Sequence, residues 1–174
     1  MWRLAVLALA GWFSLTPAWA EPPREIASTI HAAAPLGKGT YTVLVITAYD
    51  AELWTDAARW NMQKPFALRL RYHMGFSTDD FVSRSRSEMK HVDPSLTDAQ
   101  LDAFARAMTP AFPPVKDGDT ITALYRPGKP IAVFHNGAPT AVINARGFAT
   151  PFFGIWLSPK TSAPGLRAAL LGTK

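Results

Sequence analysis

The chain has 174 residues, with 18 lysine and arginine residues against 13 aspartate and glutamate residues, and it has no cysteine. This length suits one domain of roughly 100–200 residues, and a hydrophobic share of 48% is enough to build a buried core. Without cysteine, the chain has no disulfide scaffold, no thiolate metal site and no cysteine nucleophile.

The first twenty residues have the three parts of a secretory signal peptide. Arg3 gives a short positive segment, residues 4–15 are almost entirely apolar, and the Ala-Trp-Ala of residues 18–20 forms a cleavage site. The alternative is a transmembrane anchor, which needs about 20 apolar residues, more than this stretch provides. We therefore predict a signal peptide over residues 1–20, a periplasmic or secreted protein, and no membrane anchor after cleavage.

The next part of the chain predicts a lead-in followed by strands. Residues 21–36 are rich in alanine and proline and have little periodicity. From Thr40 both alternating sets of residues are largely apolar, which predicts one central strand, covered on both faces, that continues to Trp54. Pro65 opens a second strand over Phe66–Met74. Because side chains alternate along a strand, Leu68, Leu70 and Tyr72 should point one way, and Arg69, Arg71 and His73 the other.

Two capped helices follow these strands. Ser77 with Asp80, and Thr97 with Gln100, have the spacing of capping boxes, in which an N-cap hydroxyl and an N3 side chain satisfy each other's backbone N–H groups. Pro94 ends the first helix. Acidic residues surround its basic residues Arg84, Arg86 and Lys90, so they predict a solvated helix face and no nucleic-acid partner.

The last third of the chain predicts a three-stranded meander and two further helices. The strands lie over residues 119–126, 131–135 and 139–144, with Asn136-Gly137 as a hairpin turn. A helix begins near Thr150, and a final helix over Ala163–Leu171 is capped by Ser162. Strands and helices in this order indicate an α+β fold with one large antiparallel sheet.

Motifs of common enzyme classes are absent from the sequence. There is no G-x-S-x-G elbow, phosphate-binding P-loop or dinucleotide fingerprint. The glycines at Gly37 and Gly39 precede a strand and predict a turn. The four histidines have no metal-ligand spacing, so we predict no metal and no cofactor.

Two features remain as candidates for a binding site. Arg69 and Arg71 share a strand face and could hold a carboxylate by bidentate contacts, although that face could instead be solvated or paired with acidic residues. The aromatic residues Phe152, Phe153 and Trp156 could be core residues, ligand walls, or both, because apolar pockets are cut into cores.

Several segments, taken in their order, resemble the chalcone isomerase-like family in its bacterial exported branch. The resemblance covers about Gly37 to Gly172 and rests on residues 49–54, 65–72, 118–125, 134–137 and 152–171. It implies an open-faced β-sandwich over residues 37–174, in which a large antiparallel sheet is backed by helices and a ligand cleft lies between them. The family includes isomerases, fatty-acid-binding relatives and non-catalytic members.

The catalytic residues of the plant isomerases do not carry over to this chain. Their tyrosine and asparagine, seven residues apart on a helix, fall on Phe81 and Glu88, and their strand threonine falls on Leu44. Thr40 and Thr42 stand where similar proteins often have arginine. Phenylalanine cannot donate the hydroxyl hydrogen bond, so isomerase chemistry of the plant kind is not expected.

We therefore predict an exported, non-catalytic protein that binds a small apolar or amphipathic ligand such as a fatty acid. A chalcone–flavanone-type isomerase, an intramolecular lyase, is the alternative, and a structural or interaction protein is the third reading, with the helix of Arg84, Arg86 and Lys90 as its surface. The sequence does not predict the oligomeric state. The predicted ligand contacts are Arg69, Arg71, Tyr72, Trp54, Phe81, Phe153 and Trp156.

Overall fold

A computed structural model describes residues 21–173, and the predicted signal peptide lies outside them. Six strands form one antiparallel sheet in which every strand pairs with its sequence neighbour. The strands are β1 (Gly37–Val43), β2 (Ile46–Trp54), β3 (Phe66–Tyr72), β4 (Thr120–Tyr125), β5 (Ile131–His135) and β6 (Ala138–Ile143). The helices are α1 (Thr78–Val92), α2 (Asp98–Met108), α3 (Ala149–Leu157) and α4 (Pro164–Leu170). The predicted α+β class with a large antiparallel sheet backed by helices is confirmed.

The prediction of one central strand from Thr40 to Trp54 is wrong. The segment is a hairpin, in which Val43 pairs with Ile46 and residues 44 and 45 form the turn, so β1 is an edge strand. The apolar run that indicated burial on both faces is instead the exposed tip of this hairpin. Leu44 adopts a φ of 57° there, a left-handed conformation that bulky residues rarely take.

The main core lies between one face of the sheet and the helices. Five phenylalanine side chains are almost completely buried there, and their rings contact one another in edge-on, tilted and stacked arrangements. They come from β3, α3 and the loops before and after the helices: Phe66, Phe112, Phe148, Phe152 and Phe153. This aromatic layer joins α3 to the centre of the sheet, where Phe153 contacts Phe66 of β3.

Capping explains where the first two helices begin. Both predicted capping boxes are formed, at Ser77 with Asp80 and at Thr97 with Gln100. The third helix begins slightly earlier than predicted, at Ala149. The predicted cap of α4 is wrong, because Ala163 occupies the N-cap and Ser162 donates a hydrogen bond to Glu88 instead.

The lead-in covers part of the other, outer face of the sheet. Its backbone forms turns rather than a strand, and Glu25 Oε1 accepts a 2.8 Å hydrogen bond from Thr122 Oγ1. A small apolar cluster joins it to the sheet: Ile26, Ile30, Trp54, Ala67 and Leu124. The outer face is therefore apolar under the lead-in and polar beyond it.

Gly37 and Gly39 lie within β1, so the predicted turn at these residues is wrong. A Cβ at Gly37 would overlap the backbone carbonyl oxygens of Ala169 and Leu170. A Cβ at Gly39 would lie 2.9 Å from side-chain atoms of Ala169 and Leu166. The two glycines thus allow α4 to pack directly on the edge strand.

Candidate functional site

A cavity of about 240 Å³ lies between α1 and the sheet, at the end where β1 and β2 form their hairpin. Its walls come from β1, β2, β3, α1, α3 and the loop before α4. Most of the wall is apolar or aromatic, and the residues that shape its interior include Tyr49, Leu70, Tyr72, Phe81, Ser85 and Trp156. A concave apolar space with a few polar groups is typical of a ligand site.

The cavity exists because α1 packs mainly on the other helices. Its close neighbours are α2 and α3 rather than the strands beneath it. The buried residues that face the gap from the two sides include Ala48 on β2 and Ser85 on α1. Both side chains are small, so neither fills the space between helix and sheet.

A row of tyrosines crosses the floor of the cavity. Tyr41 stacks on Tyr49 with 5.1 Å between ring centroids, and Tyr49 meets Tyr72 edge-on at 5.9 Å. Trp156 Nε1 donates a 3.0 Å hydrogen bond to the Tyr49 hydroxyl. Within residues 21–173, no side chain or backbone group forms a hydrogen bond with the Tyr72 hydroxyl.

Burial keeps these phenols in their neutral form. It raises the pKa of Tyr49 well above its ordinary value, and the hydrogen bond from Trp156 only partly offsets this effect. Burial also raises the pKa of Tyr72, and the nearby Tyr49 adds to the shift. At physiological pH Tyr72 is therefore a neutral hydroxyl that can donate a hydrogen bond to a ligand.

Three charged side chains of α1 surround the mouth of the cavity: Asp80, Arg84 and Glu88. The hydrogen bonds from Ser77 occupy the Asp80 carboxylate and lower its pKa. Ser162 Oγ donates a 2.7 Å hydrogen bond to Glu88 Oε2. Arg84 is exposed and forms no ion pair within 4 Å in the described chain, and its charge helps to lower the pKa of Asp80 one helical turn away. Arg84 is thus the cation available to a ligand at the mouth.

A shallower and more polar groove continues outward from the mouth along α1. It shares Arg84 and Glu88 with the cavity and adds the side chains of Ser83 and Ser87. An amphipathic molecule could therefore place its apolar part inside and its polar end in this groove.

The structure separates the seven predicted ligand contacts into three groups. Tyr72, Phe81 and Trp156 line the cavity. Phe153 is fully buried in the core against Phe66 and does not reach the cavity. The remaining three, Arg69, Arg71 and Trp54, lie on the outer face of the sheet.

The position of the outer-face residues follows from the alternation of side chains along each strand. Leu68 and Leu70 belong to the core on the helix side, so Arg69 between them points away from it. Arg69 lies 3.4 Å from the Glu52 carboxylate, which also accepts a 3.0 Å hydrogen bond from Trp54 Nε1. Arg71 on β3 lies directly opposite Asp50 on β2 in the register of the two strands. The predicted anion site at the two arginines therefore lies on the face opposite the cavity.

Arg84 and Tyr49 are the site residues that sequence reasoning missed as ligand contacts. A signal for Arg84 was present, because Phe81, Arg84, Ser85 and Glu88 are spaced by three, four and seven residues on a capped helix. Residues at these spacings share one helix face. Tyr49 lacks such a signal, because the face on which it lies depends on a hairpin whose sequence pattern predicts a single strand.

The other two residues of the predicted basic surface, Arg86 and Lys90, already have partners in the structure. Arg86 lies 2.9 Å from Asp102 and 3.6 Å from Asp98 on α2. Lys90 Nζ donates hydrogen bonds to the carbonyl oxygens of Pro94 and Leu96. The helix therefore does not present Arg84, Arg86 and Lys90 as one free basic surface.

Three of the positions aligned with the plant isomerase residues face the cavity, whereas Thr40 and Thr42 do not line it. Phe81, Glu88 and Leu44 all line it, although Leu44 is in a turn rather than in a strand. Phe81 stacks on Phe112 at 4.1 Å between ring centroids, and Glu88 is held by Ser162. These side chains shape the cavity and its mouth without offering a hydroxyl.

Neither a metal-binding cluster nor a membrane-spanning helix is found among residues 21–173. No group of three or more histidine, aspartate and glutamate side chains has the geometry to hold a metal ion. No helix in this part of the chain is both long and apolar enough to cross a bilayer.

Comparison with known proteins places this architecture in a family. No curated protein matches the sequence. The crystal structure of a fatty-acid binding protein from Arabidopsis thaliana has a similar fold, with a TM-score of 0.58, 14% sequence identity, and coverage of 79% of this chain and 85% of that chain. The family model described as chalcone isomerase-like matches residues 37–172. The chain therefore belongs to the chalcone isomerase-like family.

Proposed function

We propose that the protein binds a single-chain amphipathic anion, such as a fatty acid, in the cavity beneath α1. The observation that carries this proposal is the combination of an apolar cavity with one unpaired cation, Arg84, at its mouth. The proposal includes export of the protein to the periplasm or secretion, and binding of the ligand without chemical change.

The interior suits an acyl chain. Leu70, Phe81 and Trp156 offer apolar surface on three sides, and burying such surface is favourable by about 25 cal/mol per Å². The volume of about 240 Å³ lies below the roughly 300–1,000 Å³ of pockets for larger organic ligands. These properties favour one narrow chain over a fused-ring molecule.

The mouth suits a carboxylate. Arg84 can donate two parallel hydrogen bonds to its oxygens, while Asp80 and Glu88 are engaged by Ser77 and Ser162. The remaining negative charge of these two groups disfavours dianionic headgroups. The similarity in fold to a plant fatty-acid binding protein supports the same ligand class.

A competition experiment tests this proposal. A fluorescent fatty acid is bound to the protein and displaced by unlabelled acids from octanoic to palmitic acid, and by the methyl ester of each. We expect the acids to bind at least about tenfold more tightly than their esters, because only the acid forms the charge-assisted contact with Arg84. Equal affinity of acids and esters would contradict a carboxylate site, and failure of every probe to bind would contradict the proposal.

A further inference from the structure

The tip of the β1–β2 hairpin is the most exposed apolar segment among residues 21–173. Leu44 is 94% and Val45 93% exposed, and the flanking Ile46 and Val43 are 57% and 42% exposed. These four residues are consecutive, and none of them is polar. Met74, 37% exposed, lines the cavity together with Val43, Leu44 and Ile46.

The backbone of this turn holds one of these apolar residues, Leu44, in a conformation that leucine disfavours. The other two-residue hairpin of the sheet uses Asn136 and Gly137, with φ of 50° and 79°, which is the preferred chemistry for such turns. The tip uses Leu44 with φ of 57° in the equivalent first position. A leucine in this conformation is strained, and strain of this kind is characteristic of functional segments.

The tip is also continuous with the binding cavity. Val43, Leu44 and Ile46 line the cavity as well as the exposed surface, whereas Val45 points away from it. We propose that the tip inserts into the surface of a lipid bilayer and places the mouth of the cavity against the membrane, so that the ligand passes between the two. This inference rests on the proposed function for its ligand and on the tip alone for its membrane contact.

The size of the apolar surface favours a bilayer over a protein partner. A stable protein interface needs about 20–30 residues on each side, and this surface consists of Val43–Ile46 and Met74. A narrow protruding hairpin, by contrast, can enter the boundary between headgroups and acyl chains as an apolar wedge. Its two-residue turn closes on the Val43–Ile46 pair, so few backbone groups are left without partners on entering an apolar phase.

Sedimentation with vesicles of phosphatidylethanolamine and phosphatidylglycerol tests this proposal. The variant Val45→Asp removes apolar surface from the tip without touching the cavity. Val142→Asp is the matched control, because Val142 is 65% exposed on β6 at the opposite edge of the sheet. We expect Val45→Asp to lower the partition coefficient between vesicles and solution at least about tenfold and Val142→Asp to leave it unchanged. The wild type and both variants are prepared with the same first and last residues.

A second variant separates membrane contact from folding. Leu44→Asn should raise the melting temperature, because asparagine tolerates the left-handed conformation, and it should still weaken vesicle binding. Wild-type protein that stays in solution, or equal partitioning of wild type and Val45→Asp, would overturn the proposal. A change in oligomeric mass in Val45→Asp without a change in vesicle binding would also overturn it and would identify the tip as a protein contact.

The two proposals fail in different ways. Fatty-acid binding measured without vesicles should be the same in wild type and Val45→Asp. If Val45→Asp loses vesicle binding and neither the wild type nor any variant binds a fatty acid, the proposed function is contradicted. The tip would still be a membrane contact in that case.

Discussion

Replacing Arg84 with glutamate is expected to weaken the binding of a fatty acid by about five- to thirtyfold. The replacement removes the cation at the mouth of the cavity and adds a third carboxylate beside Asp80 and Glu88. A charge-assisted hydrogen bond contributes about 1.5–3 kcal/mol, and an exposed ion pair only about 0.2–1 kcal/mol. Because Arg84 is exposed, we take an intermediate loss of about 1–2 kcal/mol, which corresponds to this change in affinity.

The measurement is an equilibrium titration with a fluorescent fatty acid, and Arg71→Glu is its matched control. Arg71 is also an exposed arginine, but it lies on the outer face of the sheet beside Asp50. The control changes the net charge of the protein by the same amount without touching the cavity. Equal weakening by both variants would show that Arg84 acts only through the overall charge, and an unchanged affinity in Arg84→Glu would remove it from the site.

The second large effect is expected for stability. Replacing Gly37 with alanine should lower the free energy of unfolding by about 2–3 kcal/mol, because the new methyl group would overlap backbone oxygens of Ala169 and Leu170. Backbone atoms of a packed helix cannot rotate away as a side chain can. Relief of the overlap requires α4 to move away from β1, which exposes Leu166 and Leu170.

Thermal unfolding measures this effect, and Gly165→Ala is the control. Gly165 lies in α4 itself, and nothing is within 4 Å of a Cβ at that position. Alanine in a helix is more favourable than glycine by about 0.5–1 kcal/mol, so the control should melt at a slightly higher temperature. Gly37→Ala should lower the melting temperature by roughly 4–12 °C. A melting temperature equal to that of the wild type would show that α4 does not pack closely on β1.

Local signals predicted much of the fold. The capping boxes at Ser77 and Thr97 and the hairpin at Asn136-Gly137 are determined by residues close in sequence, and all three are formed. The family resemblance then supplied the arrangement of sheet and helices, which local patterns do not contain.

The β1–β2 hairpin could not be predicted in the same way. Its turn has neither glycine nor asparagine, and Leu44 takes a positive φ that leucine rarely adopts. An uninterrupted apolar pattern through a turn looks like one long buried strand. The wrong prediction of a single strand therefore concerns the segment that we infer to contact the membrane, where the sequence departs from ordinary turn chemistry.

The candidate site was predicted only in part because strand alternation does not tell which face carries the helices. Alternation correctly placed Arg69 and Arg71 opposite Tyr72. The position of the cavity depends on tertiary packing, since α1 lies over the Tyr72 face and the lead-in covers part of the other face. In α3 nearly every residue is apolar, so periodicity could not separate Phe153 in the core from Trp156 at the cavity.

The most direct test of a carboxylate held at Arg84 and an acyl chain held in the cavity is nuclear magnetic resonance of a fatty acid labelled at its carboxyl carbon. The bound carboxyl resonance should titrate at a lower pKa than that of the free acid, because the Arg84 cation stabilises the charged form. In Arg84→Gln this lowering should disappear. A bound carboxyl group whose pKa is raised by apolar burial in both proteins, or a labelled acid that gives no bound resonance, would contradict the proposed binding mode.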